Sequence, residues 1–297
     1  MAQIRLDRVT VAYRSVEAVA GLDLELPDGR ITALVGANGS GKSTILKAAT
    51  RILQTKSGAV YLDGGDIHRL PTREVARRLA VLPQNPLGPD GITVRELIGY
   101  GRSPHQGRVQ RLTTEDRRLI DQAMELTSLT AHADRLVDTL SGGERQRVWI
   151  AMAVAQAADT LVLDEPTTFL DLEHQFAVLE LLTGLNRQEG RTIVLSVHDL
   201  NLAAHFAHHL VVIQGGGVVC QGPPSAVLTS DLLRRVFRVH ADVIVSERTG
   251  YPTVIPFEVA RESTADIHRA DSDGALESEG QAVAPIDSAS DATAADR

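Results

Sequence analysis

Residues 36–44 read GANGSGKST and fit the pattern G-x-x-x-x-G-K-[ST], which is typical of a phosphate-binding loop between a strand and a helix. Glycines let the backbone curl so that successive N–H groups point at phosphate oxygens, and the following helix adds its positive end. We expect Lys42 to reach the β- and γ-phosphates of a nucleotide, and the Ser43 hydroxyl to bind Mg²⁺. The residues of this predicted loop are Gly36, Ala37, Asn38, Gly39, Ser40, Gly41, Lys42, Ser43 and Thr44.

Two adjacent acids end the apolar run TLVLDE at 160–165. Asp164 stands where a carboxylate can hold Mg²⁺ through water, and Glu165 comes next and points another way. A second carboxylate at this point suits a base that polarises an attacking water. An acid pair at a strand end is often only a surface feature, but a phosphate loop earlier in the chain favours the catalytic interpretation.

Three further side chains could complete this chemistry. His198 follows the run TIVLSV, so we expect it at the ligand-binding edge of a parallel sheet, within reach of a γ-phosphate. Gln84 follows AVLP, and its amide could bind Mg²⁺ or orient water. Tyr13 ends an alternating strand and could stack on adenine, although core packing is the ordinary role of such a residue.

The elements that must position these residues follow an α/β pattern. Apolar residues alternate over 4–13 and 22–26 and predict an antiparallel hairpin. Continuous apolar runs, such as ITALV, predict buried parallel strands with helices between them. Residues 95–155 hold three helical patterns with no strand between them. The pattern therefore predicts a P-loop core with a parallel sheet, an N-terminal antiparallel β-subdomain and an inserted α-helical subdomain.

Composition narrows the class of protein. A hydrophobic content of 43% and a charged content of 23% are ordinary for a globular protein. No apolar run approaches the roughly 20 residues that span a bilayer, and the N-terminus lacks the pattern of a signal peptide. A net charge of −8 gives no support for nucleic-acid binding. Cys220 is the single cysteine, which excludes an intramolecular disulfide and indicates a packed, inert thiol.

Acidic residues concentrate at the end of the chain. Residues 261–297 hold nine acids and three arginines, which account for −6 of the net charge. They are rich in Ala and Ser and have no aromatic residue, so they cannot bury enough apolar surface to fold. We therefore predict a folded domain over 1–255 and an acidic, disordered tail over 256–297.

The stretch TLSGGERQR at 139–147 resembles the signature segment of the ATP-binding cassette (ABC) family. Residues 1–255 carry the other motifs of a complete cassette in order. These are the aromatic Tyr13, the Walker A loop at 36–44, Gln84, the Walker B strand at 161–165, the LD pair at 170–171 and His198.

The resemblance implies that the chain works with a second copy of itself, packed head to tail. Ser141, Gly142 and Gly143 of one copy would then approach the γ-phosphate of the ATP held by the other copy, and Asp171 would join the same site. Glycines permit that close approach, and the helix that follows points its N-terminus at the anion. ATP with Mg²⁺ would be the cofactor pair.

Several segments also resemble ferric-siderophore importer ATPases. These are 101–107 (GRSPHQG), Phe169 with His174 and Gln175, residues 198–229 and residues 239–256. The resemblance implies an ATPase that powers import of an iron(III)-siderophore, haem or cobalamin through separate transmembrane permease subunits, with a solute-binding protein as an indirect partner. Such a subunit lies peripherally on the cytoplasmic face of the cell membrane and takes no nucleic-acid partner.

Two other classes of function stay open. One is the ATPase of another ABC importer or exporter. The other is a non-transport ABC protein, such as a ribosome or DNA clamp or a nucleotide switch. Ribosome-acting forms usually carry two cassettes in one chain, and the segment between Thr44 and Gly142 is too short for the coiled coil of a DNA clamp. The presence of Glu165 favours turnover over sensing alone.

Overall fold

The computed structural model describes residues 4–107, 111–168 and 170–260. The strands are β1 (Ile4–Tyr13), β2 (Val16–Leu26), β3 (Ile31–Val35), β4 (Ser57–Leu62), β5 (Gly65–Asp66), β6 (Leu79–Leu82), β7 (Thr160–Asp164), β8 (Thr192–Ser196), β9 (His209–Gln214), β10 (Gly217–Gly222), β11 (Val239–Val245) and β12 (Pro252–Val259). The helices are α1 (Lys42–Ala49), α2 (Thr72–Arg78), α3 (Val94–Tyr100), α4 (Thr114–Leu126), α5 (Gly142–Ala155), α6 (Leu172–Glu189), α7 (Leu200–Phe206), α8 (Pro224–Val227) and α9 (Ser230–Leu232). Short 3₁₀ turns lie at Ser103–His105, Thr130–His132 and Val137–Thr139, and a π-helical turn lies at Leu233–Phe237.

The N-terminal sheet has the strand order β2-β1-β4-β5. β1 pairs antiparallel with both β2 and β4, so the hairpin predicted from alternation is confirmed. Ile4, Leu6 and Val9 of β1 point into the core, whereas the residues between them are exposed or half-buried. This sheet covers the face of α1 that carries Ile45 and Leu46.

The central sheet has the order β10-β9-β3-β8-β7-β6 and is parallel from β9 to β6. β3, β8 and β7 are buried on both faces, as the continuous apolar runs predict. The loop after β3, the acids at the end of β7 and the segment after β8 therefore meet at one edge of the sheet. The predicted α/β fold is confirmed.

Residues 95–155, predicted as a helical insertion, hold most of α3 and the whole of α4 and α5. The buried Arg102 ties these helices together. Its Nε donates to Asp116 Oδ1 of α4 at 2.8 Å, and its Nη1 donates to the carbonyls of Ala155 and Gln156 at 2.8 and 3.0 Å. Arg102 belongs to the segment GRSPHQG, so part of that segment's role is to hold the helical subdomain together.

Replacement of Asp116 by Asn is expected to lower the free energy of unfolding by about 3 kcal/mol, because it leaves the buried Arg102 cation without its counter-ion. Burial alone would raise the pKa of Asp116, but hydrogen bonds from Thr113 and Arg102 outweigh burial and lower that pKa to about 2. The ionised carboxylate therefore stabilises the fold fully above its ordinary pKa near 3.8 and stops doing so as the pH falls toward 2.

Urea unfolding at a series of pH values checks this prediction. The gap between wild type and Asp116→Asn should stay constant from neutral pH down to about pH 4 and shrink below it. Asp121→Asn is the matched control, because it removes the partner of an exposed arginine, Arg95. If Asp121→Asn lowered the free energy of unfolding as much as Asp116→Asn does, burial would not explain the effect.

The C-terminal part of the folded chain extends further than predicted. β12 continues through Val259, so the predicted boundary at 255 falls inside a strand. Ile255, Phe257 and Val259 continue the alternation of that strand, a signal that the nearby acidic run obscured. The rest of the predicted tail, 261–297, lies outside the described residues. Among the described residues, no helix has the length and apolar character needed to cross a bilayer.

Candidate nucleotide-binding site

The loop between β3 and α1 has a backbone that only glycine can adopt at its first position. Gly36 has φ 154°, and a Cβ there would lie 2.2 Å from the carbonyl oxygen of Ile213 in β9. The turn between β9 and β10 supports the loop from the other side, since Gly216 N–H donates to the Ser40 carbonyl at 2.8 Å. A side chain on Gly216 would meet the Ala18 carbonyl at 2.2 Å. Strand β9 and the β9–β10 turn therefore hold the loop in this conformation.

Lys42 lies across this loop and is buried. Its Nζ donates to the carbonyl oxygens of Gly36 and Ala37 at 2.8 and 3.1 Å. Burial lowers the pKa of Lys42, while the charges of Glu165 and Asp164 oppose that effect. The ammonium group is therefore held at the mouth of the loop, beside two carboxylates, where an anionic phosphate would gain a charged hydrogen bond.

Replacement of Lys42 by Ala should weaken ATP binding by about tenfold to a hundredfold, the value of a hydrogen bond to a charged group. Titration of the single copy with a fluorescent ATP analogue measures this loss. Lys47→Ala, on the same helix α1, is the matched control and should bind normally. An unchanged affinity in Lys42→Ala would remove the lysine from the phosphate site.

Asp164 is bound through one of its two carboxylate oxygens. Oδ1 accepts hydrogen bonds from the Ser43 hydroxyl at 2.9 Å and from the Ser196 hydroxyl at 2.7 Å. Oδ2 is buried and has no hydrogen-bond partner among the described residues. A buried carboxylate oxygen rarely stays unsatisfied, so Oδ2 is a natural ligand for a cation.

Glu165 is the centre of a polar cluster. Its backbone is left-handed, with φ 55°, and its N–H donates to Ser196 Oγ at 2.8 Å. One carboxylate oxygen accepts from Gln84 Nε2 at 2.7 Å and from the Thr168 hydroxyl at 3.1 Å, and the other lies 2.5 Å from His198 Nε2. Burial raises the pKa of Glu165, but hydrogen bonds from His198 and Gln84 outweigh burial, and the pKa falls below its ordinary value. The carboxylate is ionised at neutral pH and able to accept a proton.

Ser196 holds both acids, and sequence reasoning missed it. Its hydroxyl donates to Asp164 and accepts from the backbone of Glu165. The available signal is a polar residue in the buried strand TIVLS, at a position that the structure shows to be completely inaccessible to solvent. A buried hydroxyl in such a place needs partners, and here both partners are functional candidates.

Replacement of Ser196 by Ala should lower ATP turnover about tenfold and the free energy of unfolding by about 1–3 kcal/mol. The substitution removes a hydrogen-bond partner from Asp164 Oδ1 and from the Glu165 N–H. Phosphate-release assays and urea unfolding measure the two effects. Thr32→Val is the matched control, because the Thr32 hydroxyl is equally buried and has no hydrogen-bond partner among the described residues. Equal effects of both substitutions would contradict the assigned role.

A cavity of about 740 Å³ adjoins the phosphate loop. The residues that line it are Val16, Glu17, Ala18, Asn38, Gly39, Ser40, Gly41, Lys42, Ser43, Thr44, Gln84, Glu165, His198, Gly215 and Gly216. Sequence reasoning missed the residues from β2 and from the β9–β10 turn, for which only the glycine run at 215–217 was a signal. Tyr13 is 46% exposed and its hydroxyl lies 3.5 Å from Thr44 Oγ1, so its ring is free to stack on a base.

The signature residues lie at a different cavity, of about 490 Å³. The residues that line it are Ser141, Gly143, Glu144, Arg147, Leu170, Asp171 and His174, none of which lines the first cavity. Ser141 is the N-cap of α5 and Asp171 is the N-cap of α6. The structure therefore brings Lys42, Asp164, Glu165, Gln84 and His198 together, whereas Ser141 and Gly143 of the signature line a separate cavity. Phe169, noted in the sequence, lies outside the described residues.

Comparison with known proteins agrees with this arrangement. A family model described as ABC transporter matches residues 19–168. The iron(3+)-hydroxamate import ATP-binding protein of Bacillus subtilis (strain 168) is 45% identical over 88% of this chain and 97% of its own length. The achromobactin transport ATP-binding protein of Dickeya dadantii (strain 3937) is 46% identical over 86% and 96%. The cobalamin import ATP-binding protein of Halobacterium salinarum (strain ATCC 29341 / DSM 671 / R1) is 40% identical over 84% and 65%.

Solved structures show the same similarity. A chain from an inward-facing metal-chelate type ABC transporter has a TM-score of 0.73 and 26% identity, and the match covers 86% of this chain and 97% of that one. A dimeric bacterial ABC transporter cassette has a TM-score of 0.68 and 26% identity over 74% and 98%. The chain belongs to the ABC transporter family and is an ATPase of that family. Among its relatives in that family are the ATP-binding subunits of iron-siderophore importers, as the resemblance predicted.

Proposed function

We propose that this chain hydrolyses ATP as a head-to-tail pair and so powers import of an iron(III)-siderophore through a separate membrane permease. The observation that carries the proposal is the division of the site. The phosphate loop and the cluster around Glu165 line one cavity, and the signature lines another. The first cavity has the phosphate loop and the base but no signature residue, and the second has only the signature side. Two copies packed head to tail would therefore form two complete sites.

The chain's own residues divide the work of hydrolysis. Gly36, Gly39 and Gly41 shape the loop whose N–H groups bind phosphate, and Lys42 offsets the negative charge there. Glu165, ionised and fixed by Gln84 and His198, accepts the proton of the attacking water. In the second copy, Ser141 and the N-terminus of α5 face the γ-phosphate.

A magnesium ion fits the residues beside the loop. The buried and unpartnered Oδ2 of Asp164, the Ser43 hydroxyl and the amide oxygen of Gln84 are hard oxygen ligands of the kind that Mg²⁺ prefers. These three residues would hold the ion. When bound, it would neutralise charge on the β- and γ-phosphates.

A groove beside the helical subdomain is the proposed contact surface for the permease. It is a cavity of about 1140 Å³, and most of the residues that line it come after Gln84 in the sequence. Its lining residues include Arg73, Ile92, Tyr100 and Leu112, and the Tyr100 side chain is 53% exposed. A partly apolar groove of this size suits a short helix of a partner. Binding there would place the subunit peripherally on the cytoplasmic face of the membrane, with a solute-binding protein as an indirect partner.

Transport in proteoliposomes tests the cargo. The chain would be reconstituted in turn with permeases for ferric hydroxamate, haem and cobalamin, and ATP turnover would be measured with the solute-binding protein loaded with the matching cargo. We expect ferric hydroxamate to stimulate turnover most. Stimulation by cobalamin alone would favour the second candidate, cobalamin import, which the halobacterial relative supports. A chain that hydrolyses ATP but responds to none of the three would belong to another importer, to an exporter, or to a non-transport ABC protein.

A further inference from the structure

Glu144 binds both polar groups of the signature serine. The backbone N–H and the hydroxyl of Ser141 both donate to Glu144 Oε2 at 2.8 Å, and Glu144 N–H donates back to Ser141 Oγ at 3.3 Å. A hydroxyl has a single hydrogen. While Ser141 donates it to Glu144, the serine cannot donate it to a phosphate.

The other oxygen of Glu144 faces two basic side chains. His132 Nε2 lies 3.3 Å and Arg135 Nη1 lies 3.7 Å from Oε1. His132 Nδ1 is buried and has no hydrogen-bond partner among the described residues, so Glu144 is the polar neighbour that orients this ring. Hydrogen bonds from Ser141 lower the pKa of Glu144 most, and the charges of Arg135 and His132 lower it further. The carboxylate is therefore ionised.

A capping box forms with or without a basic partner for its acid, since Asp116 in the box at the start of α4 pairs with Arg102. Thr93 and Glu96 form the same capping box at the start of α3, with hydrogen bonds in both directions. In the part of the chain that the structure describes, Glu96 has no ion-pair partner, so a capping box is complete without one. The cap at the start of α5 therefore does not require the basic pair beside Glu144, which leaves that pair free for another role.

We propose that His132 and Arg135 are positioning residues for the signature, acting through Glu144. They offset the charge on Oε1 and so weaken the hydrogen bond that Glu144 accepts from the Ser141 hydroxyl. The hydroxyl can then turn and donate to the γ-phosphate of ATP bound by the second copy. This inference rests on the head-to-tail pair proposed above. A phosphate oxygen that accepts from Ser141 lies within about 6 Å of Glu144 Oε2, two hydrogen-bond lengths, where an unshielded carboxylate repels it.

ATP-dependent pairing of two copies, measured by light scattering in a Glu165→Gln background, tests the inference. Replacement of both His132 and Arg135 by Gln should raise the dissociation constant of the ATP-bound pair about fivefold, the value of a partly exposed ion pair. ATP affinity of the single copy should not change. Arg118→Gln is the matched control, because it removes an exposed arginine that pairs with Glu115 on α4.

A second background separates this role from a purely structural one. Glu144→Gln keeps a side chain that can form the capping box but removes the charge. In that background the double substitution should leave pairing unchanged. No weakening in the Glu165→Gln background, or equal weakening with Glu144→Gln present, overturns the inference. Should Glu165→Gln alone fail to pair with ATP, the composite site itself is wrong and the inference falls with it.

Discussion

Glu165→Gln is expected to lower steady-state ATP turnover about a hundredfold to ten-thousandfold, the usual contribution of a general base. The amide has nearly the same size as the carboxylate and can still contact Gln84 and His198, but it cannot accept the proton of the attacking water. ATP binding does not need that proton transfer. The variant should therefore collect as an ATP-bound pair, visible as a doubling of mass by light scattering, whereas the wild type returns to single copies after hydrolysis.

Glu173→Gln is the control for this variant. Glu173 is an exposed acid in the first turn of α6, so its replacement makes the same change in charge outside the cluster. Normal turnover is expected there. If Glu165→Gln hydrolysed ATP at the wild-type rate, another group would have to accept the proton, and the assignment of Glu165 would be wrong.

Ser141→Arg is expected to lower turnover by about a hundredfold or more, comparable to the loss of a hydrogen-bond donor that stabilises developing charge. The substitution removes the hydroxyl and places a long side chain in the cavity that it shares with Asp171 and His174. ATP binding by the single copy should stay normal, because Ser141 does not line the cavity beside the phosphate loop. Turnover and single-copy ATP affinity, measured on the same preparation, separate the two effects.

Loss of the helix cap is the alternative explanation that a control must remove. Thr113 is the N-cap of α4 and forms the same capping box, with Asp116, away from both cavities. Thr113→Arg should cost similar stability without the loss of turnover. If both variants lost turnover equally, or if Ser141→Arg kept it, the composite site would be contradicted.

The parts of the site that depend on local chemistry could be predicted from the sequence. The loop at 36–44 needs its glycines, lysine and serine in fixed order, and the strand before it and the helix after it are strongly patterned. Parallel strands then place Asp164 and His198 near that loop without further information.

Contacts between distant segments could not be predicted in the same way. Ser196 gains its role only because its strand lies beside the one that ends in Asp164, in register with it. The glycines at 215–216 matter because their turn presses against Ala18 and Ser40, which are far away in the chain. The hydrogen bonds between Ser141 and Glu144, in contrast, could be predicted, because the S-x-x-E spacing of a capping box can be seen in the sequence. Its basic neighbours, however, come from a separate turn.

The packing around Gly36 determines which substitution is suitable for making an inactive variant of this protein. A methyl group at that position would strike the β9 backbone, so a substitution there disturbs the central sheet before it disturbs ligand binding. Gly39, in the same loop, has open space around its missing side chain, although its φ of 75° also disfavours other residues. An inactive variant made at position 36 would thus reflect a loss of folded protein, whereas one made at Lys42 would leave a folded subunit that binds ATP poorly.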